Sequence, residues 1–535
     1  MQKLLLLGDE AIAQGALDGG MSGIYAYPGT PSTEITEYVQ KNKYAKENNI
    51  HSDWSANEKT AMESALGMSY AGKRAMVCMK HVGLNVAADA FMNSAITGVN
   101  GGLVITVADD PSMHSSQNEQ DSRFYAKFAM IPVLEPSNQQ EAYEMAYTAF
   151  ELSEKFNVPV MIRITTRLAH SRSGVTVNSQ KAENKMVLPE DRQQFVLLPS
   201  IAKVQYRKLI NVQPKLEEAS EKSKYNKYID SENKKLGVIA CGLGYNYLLE
   251  NFEESEIPFP VVKVSQYPIP RKFVEKIITE CDEILVLEDG YPVVEDDLRG
   301  FMHNKKIKGR LSGAIPRDGE LNPNIVAKAV GLADTYGTDS PNSLKGRPPQ
   351  MCKGCGHIDV YEALNEVVAE IGEGRVFSDI GCYTLGALAP FKAINTCVDM
   401  GASITMAKGA ADAGLIPAIA MIGDSTFTHS GMTGLLDAVM ENTPITVIIS
   451  DNSTTGMTGG QKSHAENRIF DICKGLGVHP DHLRTVVPLK KNHEEMVAIM
   501  KEEFAYNGLS VIVPVRECVQ TASQKARAKV ATKKL

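Results

Sequence analysis

The stretch from residue 416 to residue 454 constrains the fold of this 535-residue sequence more than any other. Residues 416–422 and 445–449 are apolar runs of strand length, and residues 431–442 between them have apolar side chains at helical spacing. This order predicts a βαβ unit, whose two parallel strands end at one crevice of the sheet. The chain is therefore predicted to be an α/β protein.

Polar residues stand where both of these predicted strands end. Gly423, Asp424 and Ser425 follow the first strand, and Asp451 and Asn452 follow the second. Hard oxygen ligands beside a helix N-terminus are typical of a site for Mg²⁺ and a diphosphate. For these residues alone, an ordinary loop with turn-forming Asp and Asn is the alternative interpretation.

Composition narrows the classes of function. Hydrophobic residues make up 43% and charged residues 22%, as in soluble globular proteins. The net charge of −8 argues against a nucleic-acid partner, and no apolar run approaches the ~18 residues of a membrane span. The four leucines at residues 4–7 predict a first buried strand and no signal peptide. Nine scattered cysteines suit a reducing compartment, so we expect a cytoplasmic protein.

Residues 1–180 alternate between strand and helix patterns, which predicts a doubly wound parallel sheet with crevice loops at its strand ends. In one loop, two prolines fix a rigid turn that aims the Thr30 hydroxyl outward, although a plain turn before a helix cap at Ser32 explains it too. In another, Glu58 stands at a helix start, where a dipole partner is the simpler interpretation.

A third group of loop residues includes Lys80, His81 and Asn85, which follow a strand and are expected to line the crevice. The polar segment 114–123 is predicted to be a binding loop. Its Arg123 would suit a substrate carboxylate through a bidentate pair, and a solvated surface loop is the alternative.

The rest of the chain divides into a linker or irregular segment (181–235), a smaller α/β domain (236–336), a second linker (337–350) and a last domain (351–535). Gly242 and Gly244 follow a strand of the smaller domain and suggest nicotinamide binding. The third glycine of that fingerprint is missing, because Tyr247 stands in its place. A purely structural domain is therefore favoured.

Four cysteines are predicted to meet at one edge of the last domain. Cys352 and Cys355 precede a helix, and Cys382 and Cys518 follow strand ends. Four thiolates suit either Zn²⁺ or an iron–sulfur cluster. Cys397 and Cys473 are spare and are expected to be small buried side chains.

These motifs together resemble the large (alpha) subunit of indolepyruvate:ferredoxin oxidoreductases, in the 2-oxoacid:ferredoxin oxidoreductase superfamily. The resemblance covers nearly the whole chain and is carried by Tyr-Pro-Gly-Thr-Pro-Ser, Met-Lys-His-Val-Gly-Leu-Asn, Ser-Gln-Asn-Glu-Gln-Asp-Ser-Arg, Asp-Ile-Gly-Cys-Tyr-Thr-Leu-Gly and Met-Thr-Gly-Gly-Gln. The metal motif stands as Gly-Asp-Ser and Asp-Asn, where thiamine diphosphate enzymes have Gly-Asp-Gly and Asn-Asn.

The resemblance implies a thiamine diphosphate fold, with a pyrimidine-binding domain at 1–180 and a diphosphate domain at 351–535. It assigns Mg²⁺ to Asp424, Asn452 and Thr454, with Gly423 and Ser425 completing the motif. A loop over the diphosphate is assigned to Gly459, Gly460 and Gln461. Activation of the aminopyrimidine ring is assigned to Glu58, and contact with the substrate to Thr30, His81 and Arg123. A [4Fe–4S] cluster is assigned to Cys352, Cys355, Cys382 and Cys518.

The implied reaction is oxidative decarboxylation of arylpyruvates to aryl-acetyl-CoA, with electrons passed through the cluster to ferredoxin or a similar carrier. A small beta subunit in an α₂β₂ assembly is expected. Members of the family usually continue into a ferredoxin domain whose cysteine runs this sequence lacks. Either another carrier takes the electrons or the sequence is part of a longer one. Alternatives are a non-oxidative thiamine-dependent decarboxylase or carboligase, and a non-catalytic subunit that retains the fold.

Overall fold

The computed structural model describes residues 2–191, 194–195, 197, 199–301, 306–310, 312–316, 319–333, 341, 343–344, 350–397, 400–412 and 415–532. The chain forms two compact units, Met1–Asp339 and Ser340–Leu535. Among the described residues, no helix combines the length and the apolarity that crossing a bilayer requires.

The first unit contains fourteen described strands and thirteen described α-helices. The strands are β1 Lys3–Leu7, β2 Gly23–Ala26, β3 His51–Trp54, β4 Ala75–Lys80, β5 Leu103–Asp109, β6 Val133–Leu134, β7 Val160–Thr165, β8 Arg172–Thr176, β9 Lys227–Ile229, β10 Leu236–Cys241, β11 Val261–Val264, β12 Gln266–Tyr267, β13 Glu283–Leu287 and β14 Lys306–Lys308. The helices are α1 Gly8–Asp18, α2 Thr33–Lys41, α3 Lys43–Glu47, α4 Glu58–Tyr70, α5 His81–Thr97, α6 Arg123–Ala129, α7 Gln139–Phe156, α8 Thr166–Ala169, α9 Pro199–Glu221, α10 Leu243–Leu249, α11 Arg271–Glu280, α12 Val293–Phe301 and α13 Pro323–Ala329.

The main sheet of this unit confirms the predicted doubly wound α/β fold. Its order is β12-β6-β7-β5-β4-β2-β3, and every pairing is parallel except that of β12 with β6. Strands β4, β5 and β7 are buried along their whole lengths, as apolar runs covered by helices on both faces must be. The carboxyl ends of β2, β4, β5 and β7 therefore share one edge.

The first strand does not belong to this sheet, so the expectation of a buried first strand is wrong. β1 pairs with β8 in a separate antiparallel ribbon, and Leu5 is 69% exposed. A run of four leucines cannot distinguish a buried strand from a ribbon that buries only one face.

The segment 181–235, predicted to be irregular, contains helix α9 and strand β9. Leu209 and Leu216, two helical turns apart, are buried against the core of the unit. Pro214 lies inside the helix, and that residue together with the surrounding charged residues obscured the apolar stripe. The segment is therefore a packed part of the first unit.

The smaller α/β domain has a five-stranded sheet in the order β14-β13-β10-β11-β9, with only β9 antiparallel. Gly242 starts α10 at φ 46°, and a Cβ there would lie 2.6 Å from Glu135 Cγ. This glycine therefore allows close packing against the first domain, which favours the structural interpretation of the domain. Most of the predicted linker 337–350 lies outside the described residues.

The second unit contains eight described strands and seven described α-helices. The strands are β15 Val376–Ser378, β16 Thr396–Cys397, β17 Ala418–Gly423, β18 Ile445–Ser450, β19 Thr454–Thr455, β20 Gln461–Lys462, β21 Leu483–Val486 and β22 Ser510–Pro514. The helices are α14 Gly356–Ile371, α15 Ala402–Asp412, α16 Asp424–Thr426, α17 Met432–Met440, α18 Ile469–Gly475, α19 His493–Ala505 and α20 Val519–Thr532.

The sheet of the second unit is parallel throughout, in the order β16-β15-β17-β18-β22-β21. β17 and β18 are neighbours, and Gly423 at the end of one lies opposite Ser450 at the end of the other. A π-helical segment, Phe427–Gly431, joins α16 to α17 between them. The predicted βαβ unit is thus present, and its strand ends define the candidate site of this unit.

Candidate active site

Asp424 sits at the first helical position after β17 and is 1% exposed. Burial raises the pKa of its carboxyl to about 7 against an opposing hydrogen bond from Ser463, and the nearby charge of Asp451 raises it further. Among the described residues, Oδ2 of Asp424 has no hydrogen-bond partner. A buried carboxylate oxygen without a partner is costly, and a divalent cation would satisfy it, so the residue fits the predicted role of metal ligand.

The loop that carries Asn452 is ordered by the hairpin of β19 and β20. Asn452 Oδ1 accepts a hydrogen bond from the Thr454 backbone N–H at 3.1 Å, and the Thr454 hydroxyl donates to the Gln461 carbonyl at 2.8 Å. Gly459 and Gly460 make the turn between the two strands at φ 121° and 90°, a region that favours glycine.

This hairpin is tied to the start of the Asp424 helix, because the hydroxyls of Ser425 and Thr455 hydrogen-bond at 2.8 Å. The structure therefore brings together all eight residues that the sequence assigned to the metal and the diphosphate. They are Gly423, Asp424, Ser425, Asn452, Thr454, Gly459, Gly460 and Gln461.

His357 is a site residue that sequence reasoning missed. Its Nδ1 lies 2.9 Å from the Ser450 hydroxyl and its Nε2 lies 3.3 Å from the Asn452 side-chain nitrogen. Burial lowers the pKa of this imidazole to about 4, so the ring is neutral. Because the Asn452 amide nitrogen can only donate, Nε2 accepts and the ring proton stays on Nδ1. His357 thus orients the amide of a predicted metal ligand.

The four predicted cysteines line one cavity of about 70 Å³, together with His357 and Asn452. Cys382 also approaches the hairpin, because a Cβ at Gly456 would lie 3.0 Å from its sulfur. Burial, and then the charges of the other three thiolates, raises the pKa of the Cys382 thiol to about 12. Coordination to a metal cation would lower the pKa of such a thiol enough to ionise it.

The spacing of these thiolates argues for a cluster over a single zinc ion. Tetrahedral zinc at ~2.3 Å from each sulfur would bring the sulfurs to about 3.8 Å of one another. Within the described part of the chain, the one group with three candidate ligand atoms mutually within 4.8 Å lies elsewhere, in the first unit. No three of the four sulfurs therefore lie within 4.8 Å of one another, which is wider than a single zinc ion requires. Cys473 is buried as expected, and the side chain of Cys397 lies outside the described residues.

In the first unit, Glu58 follows the N-cap residue Asn57 and is 6% exposed. Its carboxylate lies over Gly83, where a Cβ would come within 2.5 Å of Oε1. Lys80 is also buried, and burial lowers the pKa of its ammonium to about 8 against the opposing charges of Asp110 and Glu58. The carboxyl end of β4, with Lys80, and the start of α4, with Glu58, therefore form one charged edge of a candidate pocket. We call it the Glu58 edge.

The predicted binding loop folds over this edge. Lys80 Nζ donates to the Ser115 carbonyl at 2.9 Å, and the Ser115 hydroxyl donates to the Thr30 carbonyl at 3.2 Å. His81 Nε2 lies 3.2 Å from the Asn118 carbonyl, while among the described residues His81 Nδ1 has no partner. Thr30, Glu58 and His81 thus share the edge with Lys80, while most side chains of residues 113–118 are exposed, so the segment is a surface loop anchored at this edge.

Arg123 does not join them, and the prediction that it contacts a substrate carboxylate is wrong for this structure. Its guanidinium is 2% exposed and donates to Asp121 at 2.9 Å, to Glu288 at 3.0 Å and to the Tyr291 carbonyl at 2.9 Å. A cation held on all sides by buried partners has no donor left for a ligand. Arg123 is a structural residue that links the first domain to the smaller one.

Comparison with known proteins identifies the class. Residues 14–233 match the family described as pyruvate flavodoxin/ferredoxin oxidoreductase, thiamine diphosphate-binding, and residues 379–513 match the C-terminal binding domain of thiamine pyrophosphate enzymes. These matches cover the Glu58 edge and the Asp424 loop respectively. The chain is a thiamine-diphosphate-dependent oxidoreductase.

Three curated relatives define the family within that class. Each is an indolepyruvate oxidoreductase subunit IorA, from Archaeoglobus fulgidus (37% identity over 98% of this chain and 88% of that protein), Methanothermobacter marburgensis (39%, 97% and 87%) and Pyrococcus abyssi (36%, 97% and 86%). The chain belongs to the family of these indolepyruvate oxidoreductase IorA subunits.

Proposed function

We propose that this chain carries out the oxidative decarboxylation of arylpyruvates of the indolepyruvate and phenylpyruvate type, with an aryl-acetyl-CoA as product. The electrons leave through a [4Fe–4S] cluster to ferredoxin or a similar carrier, and a small beta subunit completes an α₂β₂ enzyme. The observation that carries the proposal is the cavity lined by the four cysteines. The predicted metal ligand Asn452 lines the same cavity, so a cluster there would lie beside the cofactor's metal site. The names of the relatives support the substrate class.

The loops after β17 and β18 would hold Mg²⁺ and the diphosphate of the cofactor. Asp424 would supply a carboxylate oxygen, Asn452 its side-chain oxygen and Thr454 its backbone carbonyl, while Gly459, Gly460 and Gln461 hold the hairpin in place. His357 keeps the Asn452 amide in one orientation. When bound, thiamine diphosphate supplies an electron sink for the loss of CO₂ from a 2-oxoacid.

At the other cofactor-binding edge, the Glu58 carboxyl group would hydrogen-bond the aminopyrimidine ring and so activate the cofactor. Gly83 leaves room for that carboxylate, and the Asn57 cap fixes the helix start. Thr30 and His81 face the substrate from neighbouring strand ends. Since Arg123 is fully engaged, we assign the substrate carboxylate to Lys80, a buried ammonium at the same edge.

The thiolates of Cys352, Cys355, Cys382 and Cys518 hold the cluster, which supplies single-electron transfer when bound. Their spacing supports this assignment, since it is wider than tetrahedral zinc requires. A non-oxidative decarboxylase would have no use for four thiolates around one cavity beside its metal loop.

The test is anaerobic reduction of a viologen dye by the chain with its beta subunit. Indolepyruvate, phenylpyruvate and pyruvate are each supplied with and without coenzyme A. We expect dye reduction that requires coenzyme A and is faster with the two arylpyruvates than with pyruvate. Aldehyde release without dye reduction would instead establish a non-oxidative decarboxylase, and equal rates with Glu58→Gln would remove Glu58 from the reaction.

A further inference from the structure

Three ligand-type side chains that the proposed function does not use meet in the first unit. Asp9 lies in the first turn of α1, Glu34 lies in the first turn of α2, and His170 follows α8. One ligand atom from each lies within 4.8 Å of the other two. Among the described residues, no other three His, Cys, Asp or Glu side chains are placed in this way.

Asp9 is the most deeply buried of the three side chains. It is fully buried, and among the described residues neither of its carboxylate oxygens has a hydrogen-bond partner. A buried carboxylate left unpaired costs several kcal/mol, so a group that contacts both oxygens is needed to stabilise it as an anion. The neighbouring Glu10 does not help, because it accepts a hydrogen bond from the Leu7 N–H and adds a like charge.

The other two side chains form a long ion pair beside Asp9. Glu34 Oε2 is buried without a hydrogen-bond partner in the described part of the chain, and His170 Nε2 lies 3.6 Å from it, farther than a hydrogen bond but close enough for charge attraction. A cation between them would accept lone pairs from both groups and from Asp9. His170 is partly exposed, so the group is open to solvent on one side.

We infer that Asp9, Glu34 and His170 bind one divalent transition-metal ion. One imidazole and two carboxylates form a mixed nitrogen and oxygen donor set, which suits Mn²⁺, Fe²⁺ or Zn²⁺ better than the all-oxygen preference of Mg²⁺ or Ca²⁺. Three protein ligands leave coordination positions for water. The ion joins the starts of α1 and α2 to the segment after β7, and α2 follows directly on the Thr30 loop, so the site braces that loop.

This inference does not depend on the proposed function, and the test keeps the two apart. The holoenzyme, freed of loosely bound metal by a chelator and resupplied with thiamine diphosphate, is titrated with Mn²⁺ while free Mn²⁺ is followed by electron paramagnetic resonance. Thiolates are soft ligands and compete poorly for Mn²⁺, so the cysteine cavity does not interfere. We expect two bound ions per chain, one lost in Asp424→Asn and the other in Asp9→Asn.

His170→Gln removes the partly exposed ligand of the same site. Its effect on Mn²⁺ binding can be measured even if the buried Asp9→Asn variant fails to fold. We expect Mn²⁺ affinity at this site to fall at least tenfold in both Asp9→Asn and His170→Gln. Glu37→Gln, one helical turn beyond Glu34 and paired with Lys41, is the matched control and should bind as the wild type does. Wild-type stoichiometry and affinity in folded His170→Gln would overturn the inference.

Discussion

Burial sets the protonation states of single residues at both candidate sites. His357 is neutral because burial lowers its pKa to about 4, and its hydrogen bonds to Ser450 and Asn452 require that state. Lys80 is the opposite case, a buried cation whose pKa lies at about 8. Its charge therefore changes within the pH range in which the enzyme can be assayed.

The apparent affinity for arylpyruvate should fall as pH rises through about 8. Lys80 is protonated below that pH and neutral above it, so its attraction for the substrate carboxylate is lost on the alkaline side. The measurement is KM for indolepyruvate from pH 6.5 to pH 9.5 at saturating coenzyme A. Lys80→Arg stays charged and should lose the alkaline rise in KM, whereas identical profiles for the two proteins would contradict the assignment.

The proposed role of the four cysteines can be tested by removing one thiol. Cys382→Ser should lower iron from about four atoms per chain and abolish dye reduction, because one of the four thiolates of the cluster is gone. Thiamine diphosphate should remain bound. Cys473→Ala, a buried cysteine in the core of the same unit, is the matched control and should keep its iron. Iron and sulfide counts on anaerobically purified protein decide between them.

Among the helices, the packing of α4 against α5 places Glu58 over Gly83. A side chain at position 83 would meet the Glu58 carboxylate before it met anything else, so the glycine leaves room for the Glu58 carboxylate. Gly67, in the middle of α4, has nothing within 4 Å of its Cβ position. A Cβ atom would therefore be crowded at position 83 and unhindered at position 67.

Gly83→Ala should lower turnover by about 10²-fold, the low end of what a positioned proton-transfer group contributes. Gly67→Ala should leave turnover unchanged and stabilise the chain by about 0.5–1 kcal/mol, since alanine favours a helix interior. Dye reduction and urea unfolding measure the two effects. Equal turnover in the two variants would show that Glu58 can leave its place over Gly83 without loss.

How much the sequence could predict depends on how far apart the partners lie. The meeting of the strand ends, of the loops that carry Asp424 and Asn452, and of the four cysteines was predictable, because each is marked by local pattern and parallel strands bring their ends to one edge. The role of Arg123 was not, since Glu288 is 165 residues away and nothing local indicates that pairing. His357 was missed for the same reason, as Ser450 and Asn452 are 93 and 95 residues away.

On the scale of the whole molecule, two buried arginines bind the first domain to the smaller α/β domain. Arg123 reaches Glu288, and Arg163, which is fully buried, donates to Asp109 at 2.6 Å and to the Asp289 carbonyl at 2.8 Å. Asp121 accepts from both guanidinium groups. These pairs explain why residues that the sequence divides into two domains form one compact unit.

Arg123→Met should destabilise the chain by about 3–5 kcal/mol, because it leaves buried carboxylates without their cation. Arg167→Met is the matched control, since Arg167 also pairs with the smaller domain, at Glu320, but is 55% exposed. We expect that change to cost less than about 1 kcal/mol. Urea unfolding measures both, and an Arg123→Met protein that unfolds like the wild type but shows a raised KM would restore the role in substrate binding.

The buried arginines also restrict movement of the first domain relative to the smaller α/β domain. Separating the two domains along this joint would expose several charges at once and leave them uncompensated midway, so the joint cannot act as a hinge. The polar loop that covers the end of β4 is held differently, because its contacts with Lys80, Thr30 and His81 are single hydrogen bonds to carbonyl oxygens, and we expect movement that admits substrate there. If this loop must open before substrate enters, the rate at which it opens sets an upper limit on turnover.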